Sequence, residues 1–402
     1  MVLEPVDRNQ LFRDRRRQQR RRRRRRRAVL LVVVLALAVA AAGVIRARGG
    51  AQPAVEAEKA AASRPAPTAA LPKVDPLAPR PAPTSLRGVH VTMALASIPG
   101  KLDEYLEVEG LNAVQLDVKD ENGEVAFVPS AVPFARAIGA AKPYYQPRKV
   151  ALLARKRGVY LIGRIVCFED PVLSGARPGM AVQRTDGSRW VNHAGLGWAD
   201  PYNRDVWKYL GDLAVASARL GFDEIQLDYV RFPTDGDVEA IRYPSQTSTP
   251  MGWVIPEFVQ YVAKRLQPTG ARLSADVFGL SATRDLGIGQ IPRRISRYLD
   301  AIYPMVYPSH YGPGEYGLDD PNASPGPTVA ASLSDFNREL QGRKTRIIPW
   351  LQDFSYGRTY TAAEVKEQID AAAAAGSAGF LLWNAAGVYS DGVLTYHPIV
   401  AE

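Results

Sequence analysis

From residue 87 onward, short apolar runs alternate with longer stretches in which apolar residues recur every three or four positions. The runs at 88–92 (GVHVT), 112–118 (NAVQLDV), 159–168 (VYLIGRIVCF), 222–230 (FDEIQLDYV), 272–278 (RLSADVF), 300–307 (DAIYPMVY), 346–352 (RIIPWLQ) and 378–384 (AGFLLWN) read as strands. Eight strands separated by helical patterns predict β-α units and a parallel sheet. Pro201 sits where a helix opens over NRDVWKYLGDLAVASARLG, and Thr361 with Glu364 forms a capping-box pattern ahead of a helix that stops at Gly376. Residues 87–402 suffice for one (β/α)8 barrel with loop insertions. An open, doubly wound sheet is the architectural alternative. Three connections are long, at 169–199, 233–251 and 308–326, and all follow strand C-termini. In a barrel they lie on the catalytic face and build a groove above it. Asn122-Gly123 and Asp186-Gly187 read as hairpin turns on that surface.

The N-terminal part has a different pattern. Arg20 to Arg27 abut residues 28–45, an uncharged apolar stretch long enough to cross a hydrocarbon core of about 30 Å. It reads as a membrane helix, with a cleaved signal peptide as competitor because Ala38, Ala40 and Ala42 suit a peptidase. The arginines precede it and only Arg46 and Arg48 follow closely. The positive-inside rule therefore keeps the tail, 1–27, cytoplasmic and puts the downstream chain outside the cytoplasm, periplasmic or extracellular. Residues 46–86 are rich in Ala and Pro and read as a disordered linker before the domain at 87–402.

The formal charge of +10 points to a nucleic-acid partner only until its distribution is considered. Residues 1–50 carry +12 and the remainder −2, so the folded part has no basic excess for phosphate and no nucleic acid is expected. No nucleotide is expected either, because Gly100-Lys101 has Leu95 where a phosphate loop needs glycine and Leu102 where it needs Ser or Thr. Cys167 is the only cysteine, which excludes an intramolecular disulfide, and its setting reads as a buried strand. His90, His193, His310 and His397 lack metal-ligand spacing, so neither metal nor cofactor is expected.

Acids at strand ends carry the candidate chemistry. A strand packed on both faces should be apolar, yet the second ends in QLDVK and the fourth in QLDYVR, placing Asp117 and Asp228 at equivalent points. Alternation puts Gln226 and Asp228 on one face and Ile225 and Leu227 on the other; the fifth strand repeats this with Ser274 and Asp276. Neighbouring strands would bring Asp228 and Asp276 near the separation of about 5–5.5 Å used by retaining glycosidases. Like charges that close keep one acid protonated to donate while the other attacks. On the seventh strand Gln352 and Asp353 compete for the lumen, since alternation admits only one. The competing reading is that Lys119, Arg164 and Arg231 neutralise these acids as interior ion pairs, at a desolvation cost that stability alone does not require. Trp350, Trp383 and Tyr307 sit where a sugar-binding groove needs aromatic platforms.

The strings RGVH, LDVKDENG, LDYVRFP, MVYPSHYGPGEYG, PWLQDF and GFLLWNA, in order at successive strand ends, resemble a largely uncharacterised bacterial family of glycoside-hydrolase-like domains, commonly membrane-attached, with an α-amylase-like (β/α)8 barrel. The resemblance spans residues 86–398. It implies a nucleophile at strand four and an acid/base at strand five, hence Asp228 and Asp276. This chain departs from α-amylases in having Asp276 where they carry Glu, and Gln226 where they carry Arg two residues before the nucleophile. Arg231, beyond Asp228, is then placed to orient that carboxylate. Asp117, Gln352 and Asp353 are expected to bind sugar hydroxyls or stabilise positive charge, and His310 and Asn384 join them at the substrate-binding rim. The expected function is retaining hydrolysis of an envelope or extracellular polysaccharide. The alternative is a non-catalytic glycan-binding or scaffold barrel, in which the same acids only hydrogen-bond sugar.

Overall fold

The computed structural model describes residues 75–399. Its main sheet contains β1 (Leu86–Val91), β2 (Ala113–Lys119), β3 (Tyr160–Val166), β4 (Glu224–Asp228), β5 (Arg272–Phe278), β6 (Ala301–Met305), β7 (Arg346–Ile347 and Trp350–Gln352) and β8 (Gly379–Trp383). Every pairing among them is parallel and follows chain order, and β8 pairs back onto β1 through Leu86↔Gly379 to Val89↔Leu382. The sheet is therefore a closed (β/α)8-type cylinder, and the open-sheet alternative is overturned by that last pairing.

Helices α1 (Lys101–Leu106), α2 (Pro147–Lys156), α3 (Arg204–Arg219), α4 (Met251–Leu266), α5 (Pro292–Ile295), α6 (Pro325–Glu339) and α7 (Ala362–Ala374) each follow the strand of the same number. Alternation along the strands divides the interior in two. Outward aliphatics such as Ile225, Leu227 and Val277 join one cluster with Leu210 and Leu213 of α3 and Phe258 and Val262 of α4. Each such fully buried side chain contributes about 1.5–3 kcal/mol. Inward residues, among them Tyr160, Ile162, Tyr303, Trp350 and Leu381, form a second cluster that fills the lumen. A packed lumen leaves chemistry only at its mouth.

Local signals set most element boundaries. Thr361 and Glu364 cap α7 reciprocally, and Gly376 follows it in a left-handed conformation (φ 72°). At α3 the cap overrides the proline: Asn203 Oδ1 accepts the Asp205 and Val206 amides, so the helix begins at Arg204 and Pro201 lies ahead of it. A side-chain oxygen that satisfies two orphan amides fixes the start more firmly than a preset φ. Asp186-Gly187 turns a hairpin, with Arg184 N–H donating to Ser188 O at 2.8 Å, and Lys119 bridges Val125 around Asn122-Gly123. Gln183–Arg184 pairs antiparallel with Ile241–Arg242, tying together the long loops after β3 and β4.

The membrane helix expected at 28–45 and the Arg-rich tail lie outside the described residues, and no described helix is long and apolar enough to cross a membrane. The described end of the Ala/Pro linker, 75–86, is attached to the barrel. Leu77 is buried, Arg80 pairs with the buried Asp223 at 2.6 Å, and Leu86 already belongs to β1.

Candidate active site

The inward face of β4 carries Glu224, Gln226 and Asp228 in alternation, as its HPHP pattern requires, and the last of these reaches the strand end. Asp228 O accepts the Cys167 amide at 2.7 Å, which fixes this end of β4 to the chain leaving β3. On β5 the same alternation brings Asp276 inward, one register step beyond the last paired residues, Leu227 and Ala275. Asp117 enters from β2. The three strand-end acids thus share one mouth.

One cation organises two of them. Arg164, inward on β3 and almost wholly buried, donates through Nε and Nη2 to Asp228 Oδ2 at 2.8 and 2.7 Å and through Nη1 to Asp117 Oδ1 at 2.7 Å. Such charge-assisted contacts on both sides of a planar fork hold the guanidinium and both carboxylates in one arrangement. Asp117 also accepts the Met93 amide at 3.1 Å, and burial still raises it to about 6. The interior ion-pair reading therefore holds for Asp117 and Asp228 through Arg164. Lys119, by contrast, is committed to Asp170 at 3.0 Å and Val166 O at 2.7 Å.

Asp276 has a different environment. It is 2% exposed and its Oδ1 accepts the Trp350 indole N–H at 2.6 Å. Burial, and then the neighbouring Asp228 charge, push its carboxyl well above the usual carboxylate range, against the pull of that hydrogen bond and of Arg164. The arrangement is an acid that holds its proton more tightly than usual beside an arginine-paired acid. Two like groups in unlike surroundings are what divides acid from nucleophile or base.

The remaining candidates separate into those at the mouth and those holding loops. Trp383 is half-buried, 5.7 Å from the Arg164 guanidinium, 4.6 Å from the His90 ring and edge-on to Trp350 at 5.8 Å. Tyr307 lines the lumen end and meets Phe354 and His310 edge-on at 5.6 and 5.4 Å, with His310 exposed on the rim. Trp350 is a buried hydrogen-bond donor rather than an open platform. Gln352, not Asp353, belongs with the β6 loop: its Oε1 accepts the Ser309 amide at 3.1 Å and its Nε2 donates to Phe354 O at 2.9 Å. Asp353 accepts the amide and hydroxyl of Ser390 at 2.8 and 2.7 Å, and Asn384 donates to Asp353 O. Both are engaged in fastening the C-terminal segment.

Arg231 does not orient Asp228. Its guanidinium lies 4.8–5.1 Å from the Trp198, Phe278 and Tyr229 rings and donates to Phe232 O and Thr234 Oγ1. The orienting arginine comes from β3 because Arg164 stands level with Gln226 in the ladder and its long side chain reaches up to the next layer. Alternation in YLIGRIV places Arg164 inward, in keeping with the interior ion-pair reading that names it beside Lys119 and Arg231. His90 and Gln115 were missed. His90 Nδ1 lies 2.5 Å from Gln115 Oε1, and Gln115 Nε2 donates to Gln226 Oε1. Burial, then Arg164, lowers His90 to about 3, so it stays neutral beneath the acids. Glu121, 3.6 Å from Arg164 with a side chain 25% exposed, adds a fourth acid at the opening. Burial pushes the Cys167 thiol up, which leaves it inert.

The Asp228 side chain is 10% exposed, and Tyr229, Phe278, Met305 and Trp383, at or just beyond the ends of their strands, are half-buried. A separate cavity of about 310 Å³, lined by Asp212, Ala216, Arg219 and Arg265, lies on the outer helices and contains none of these groups.

A family model described as "Putative glycosyl hydrolase domain" matches residues 88–389. No curated protein matches this chain. Among solved structures, the PgaB (BpsB) glycoside hydrolase domain from Bordetella bronchiseptica superposes with a TM-score of 0.55 at 15% identity, over 75% of this chain and 94% of that one. The C-terminal domain of a protein titled "putative chitinase" from Desulfitobacterium hafniense DCB-2 does so with a TM-score of 0.50 at 11% identity, over 77% and 96%. A hypothetical protein from Ruminiclostridium thermocellum is 35% identical over 47% of this chain and 97% of its own, with a TM-score of 0.43. At their identities the first two show a common fold and nothing finer.

Proposed function

The chain belongs to the glycosyl hydrolase domain family matched over residues 88–389, and from that premise we propose that it cleaves glycosidic bonds of a polysaccharide outside the cytoplasm with retention of configuration. In this reading Asp228 attacks the anomeric carbon while Asp276 protonates the departing oxygen; Asp276 then takes a proton from water as that water releases the sugar from Asp228. The observation that carries it is the pairing of unlike carboxyls on adjacent strand ends. Arg164 pairs with Asp228 at 2.7 Å, while burial and then Asp228 push the Asp276 carboxyl well above the usual carboxylate range. Arg164 positions the attacking oxygens and Asp117 positions Arg164. Trp383 offers a face on which a sugar ring stacks, and Gln352, Asp353 and Asn384 shape the loops that border it.

The location rests on the uncharged stretch at 28–45 and the arginines before it, which together favour a membrane anchor with the barrel outside the cytoplasm. The test of the chemistry is reducing-end release by the full chain from a panel of purified cell-wall and extracellular polysaccharides. Asp228→Asn should lower the rate by at least about a thousandfold with the melting temperature little changed. An equal rate in that variant ends the mechanism, and product anomers followed by NMR from the first turnovers decide between retention and inversion.

A further inference from the structure

Tyr229, the residue after Asp228, has φ 47°. Among the described residues only Tyr316 shares a left-handed backbone without being glycine. An aromatic side chain pays for that conformation where glycine would not, so the surroundings must impose it.

The ladders show what the turn accomplishes. β4 stays with β3 to its last residue, through Val166↔Asp228, and Phe168 N–H still donates to Tyr229 O at 3.3 Å. On its other side β4 leaves β5 at Leu227↔Ala275, although β5 continues beside β6 as far as Phe278↔Met305. The β4–β5 pairing thus ends just before Asp228 and Asp276, and Tyr229 is the first residue beyond β4. The peptide between Asp228 and Tyr229 is turned so that its N–H donates to Asp228 Oδ1 at 2.7 Å, and the left-handed φ at Tyr229 is how the chain continues from that peptide. Arg164 occupies Oδ2. The ring is half-buried, 6.2 Å from Trp198 and 5.1 Å from the Arg231 guanidinium.

We propose that Tyr229 is a positioning residue whose backbone, not its ring, sets the Asp228 carboxylate: its left-handed conformation holds the preceding peptide so that the N–H stays on one oxygen while Arg164 holds the other. This rests on the hydrolase reading above. Asp228 is then restrained about its last bond: two Arg164 donors fill Oδ2, and Oδ1, with one amide donor, has a lone pair left to aim.

The experiment compares Tyr229→Gly, Asn, Ala, Val and Phe in the full chain, on whichever polysaccharide of the panel the wild type cleaves fastest, with kcat and KM separated and folding checked by circular dichroism. If the backbone matters, kcat among the small variants follows tolerance of the left-handed region. Gly and Asn stand highest, Ala lower, and Val about 5- to 30-fold below Gly. KM moves with loss of the ring and is alike for Gly and Val. Should Val fail to fold, the Gly–Ala pair decides by the same order. The proposal is overturned if kcat follows ring size, with Phe best and Gly worst, or if all five variants share one kcat. A wild type that releases no reducing ends from any polysaccharide overturns the hydrolase reading and this proposal with it; an active wild type with the ring-size order overturns this proposal alone.

Discussion

Glu224 and Asp228 lie four residues apart on the inward face of β4, and both are buried acids, but their partners differ in kind. Glu224, at the closed end, accepts hydroxyl donors from Ser274 at 2.5 Å, Tyr303 at 2.9 Å and Tyr160 at 3.1 Å. Burial raises its pKa, and those three bonds work against the rise. Among the described residues no cation pairs with it, and it is 1% exposed. Asp228 has Arg164 on one oxygen, a backbone amide on the other, and a second acid beside it whose carboxyl is pushed well above its usual range. Neutral donors on every side make a closed structural knot, whereas a charged partner, a like-charged neighbour and partial exposure make a site that can change its protonation during a reaction. Burial alone therefore does not mark function in this lumen. The sign and number of the partners do.

The sharpest way to break the comparison is Asp276→Asn, which removes the proposed proton donor while keeping the shape. It should lower kcat by about 10²- to 10⁴-fold on substrates with poor leaving groups. Because Asp276 sits above its ordinary range in the folded state, wild-type activity should fall as pH rises through that raised value, and the basic limb of the profile should vanish in the variant. The sign for stability agrees. The folded state retains this proton where the unfolded chain has lost it, so Asp276 lowers stability progressively as pH climbs above about 4. Melting temperatures of the Asn variant should decline less over that interval.

Next in size is Arg164→Met. It leaves Asp117 and Asp228 buried without their cation, and the cost should be about 3–5 kcal/mol in denaturant unfolding, together with loss of activity. An unfolding midpoint equal to wild type would mean that the mouth is open enough for water to replace the guanidinium. The smallest effect belongs to Glu224→Gln, whose hydroxyl partners can turn to accept from an amide. Stability should drop by about 1–2 kcal/mol and kcat should stay within a few-fold. If instead this variant loses activity as Asp228→Asn does, the closed end of the lumen takes part in the chemistry and the contrast between the two ends fails.

Much of this was legible in the chain. Period-2 alternation alone put Asp228 and Asp276 on the lumen side, and eight runs with helical spacing between them named the barrel. Alternation could not choose the partner of Asp228. Arg231 was nearer in sequence, but it follows the turn at Tyr229 and its guanidinium ends among Trp198, Tyr229 and Phe278. Arg164 is distant in sequence and adjacent in the ladder. Trp350 had the same ambiguity, since an indole at a strand end is either a stacking face or an N–H donor, and only the position of Asp276 decides between them. Asp353 and Asn384 carried sugar-binding chemistry by composition, yet both are occupied by the chain's own C-terminal segment.

What the sequence determined by itself was local: which residues face inward, where α7 is capped, and that an arginine-rich tail precedes an uncharged apolar stretch. Those follow from side-chain period and from donors within a few residues of one another. The tertiary structure decided everything that depends on one strand meeting another: closure of β8 on β1, the Arg164 fork between Asp117 and Asp228, and the separate surroundings that pair Asp228 with a cation and raise the carboxyl of Asp276. The reason is that charge state in a buried site depends on distance through space and on exclusion of water, and neither quantity is written along the chain.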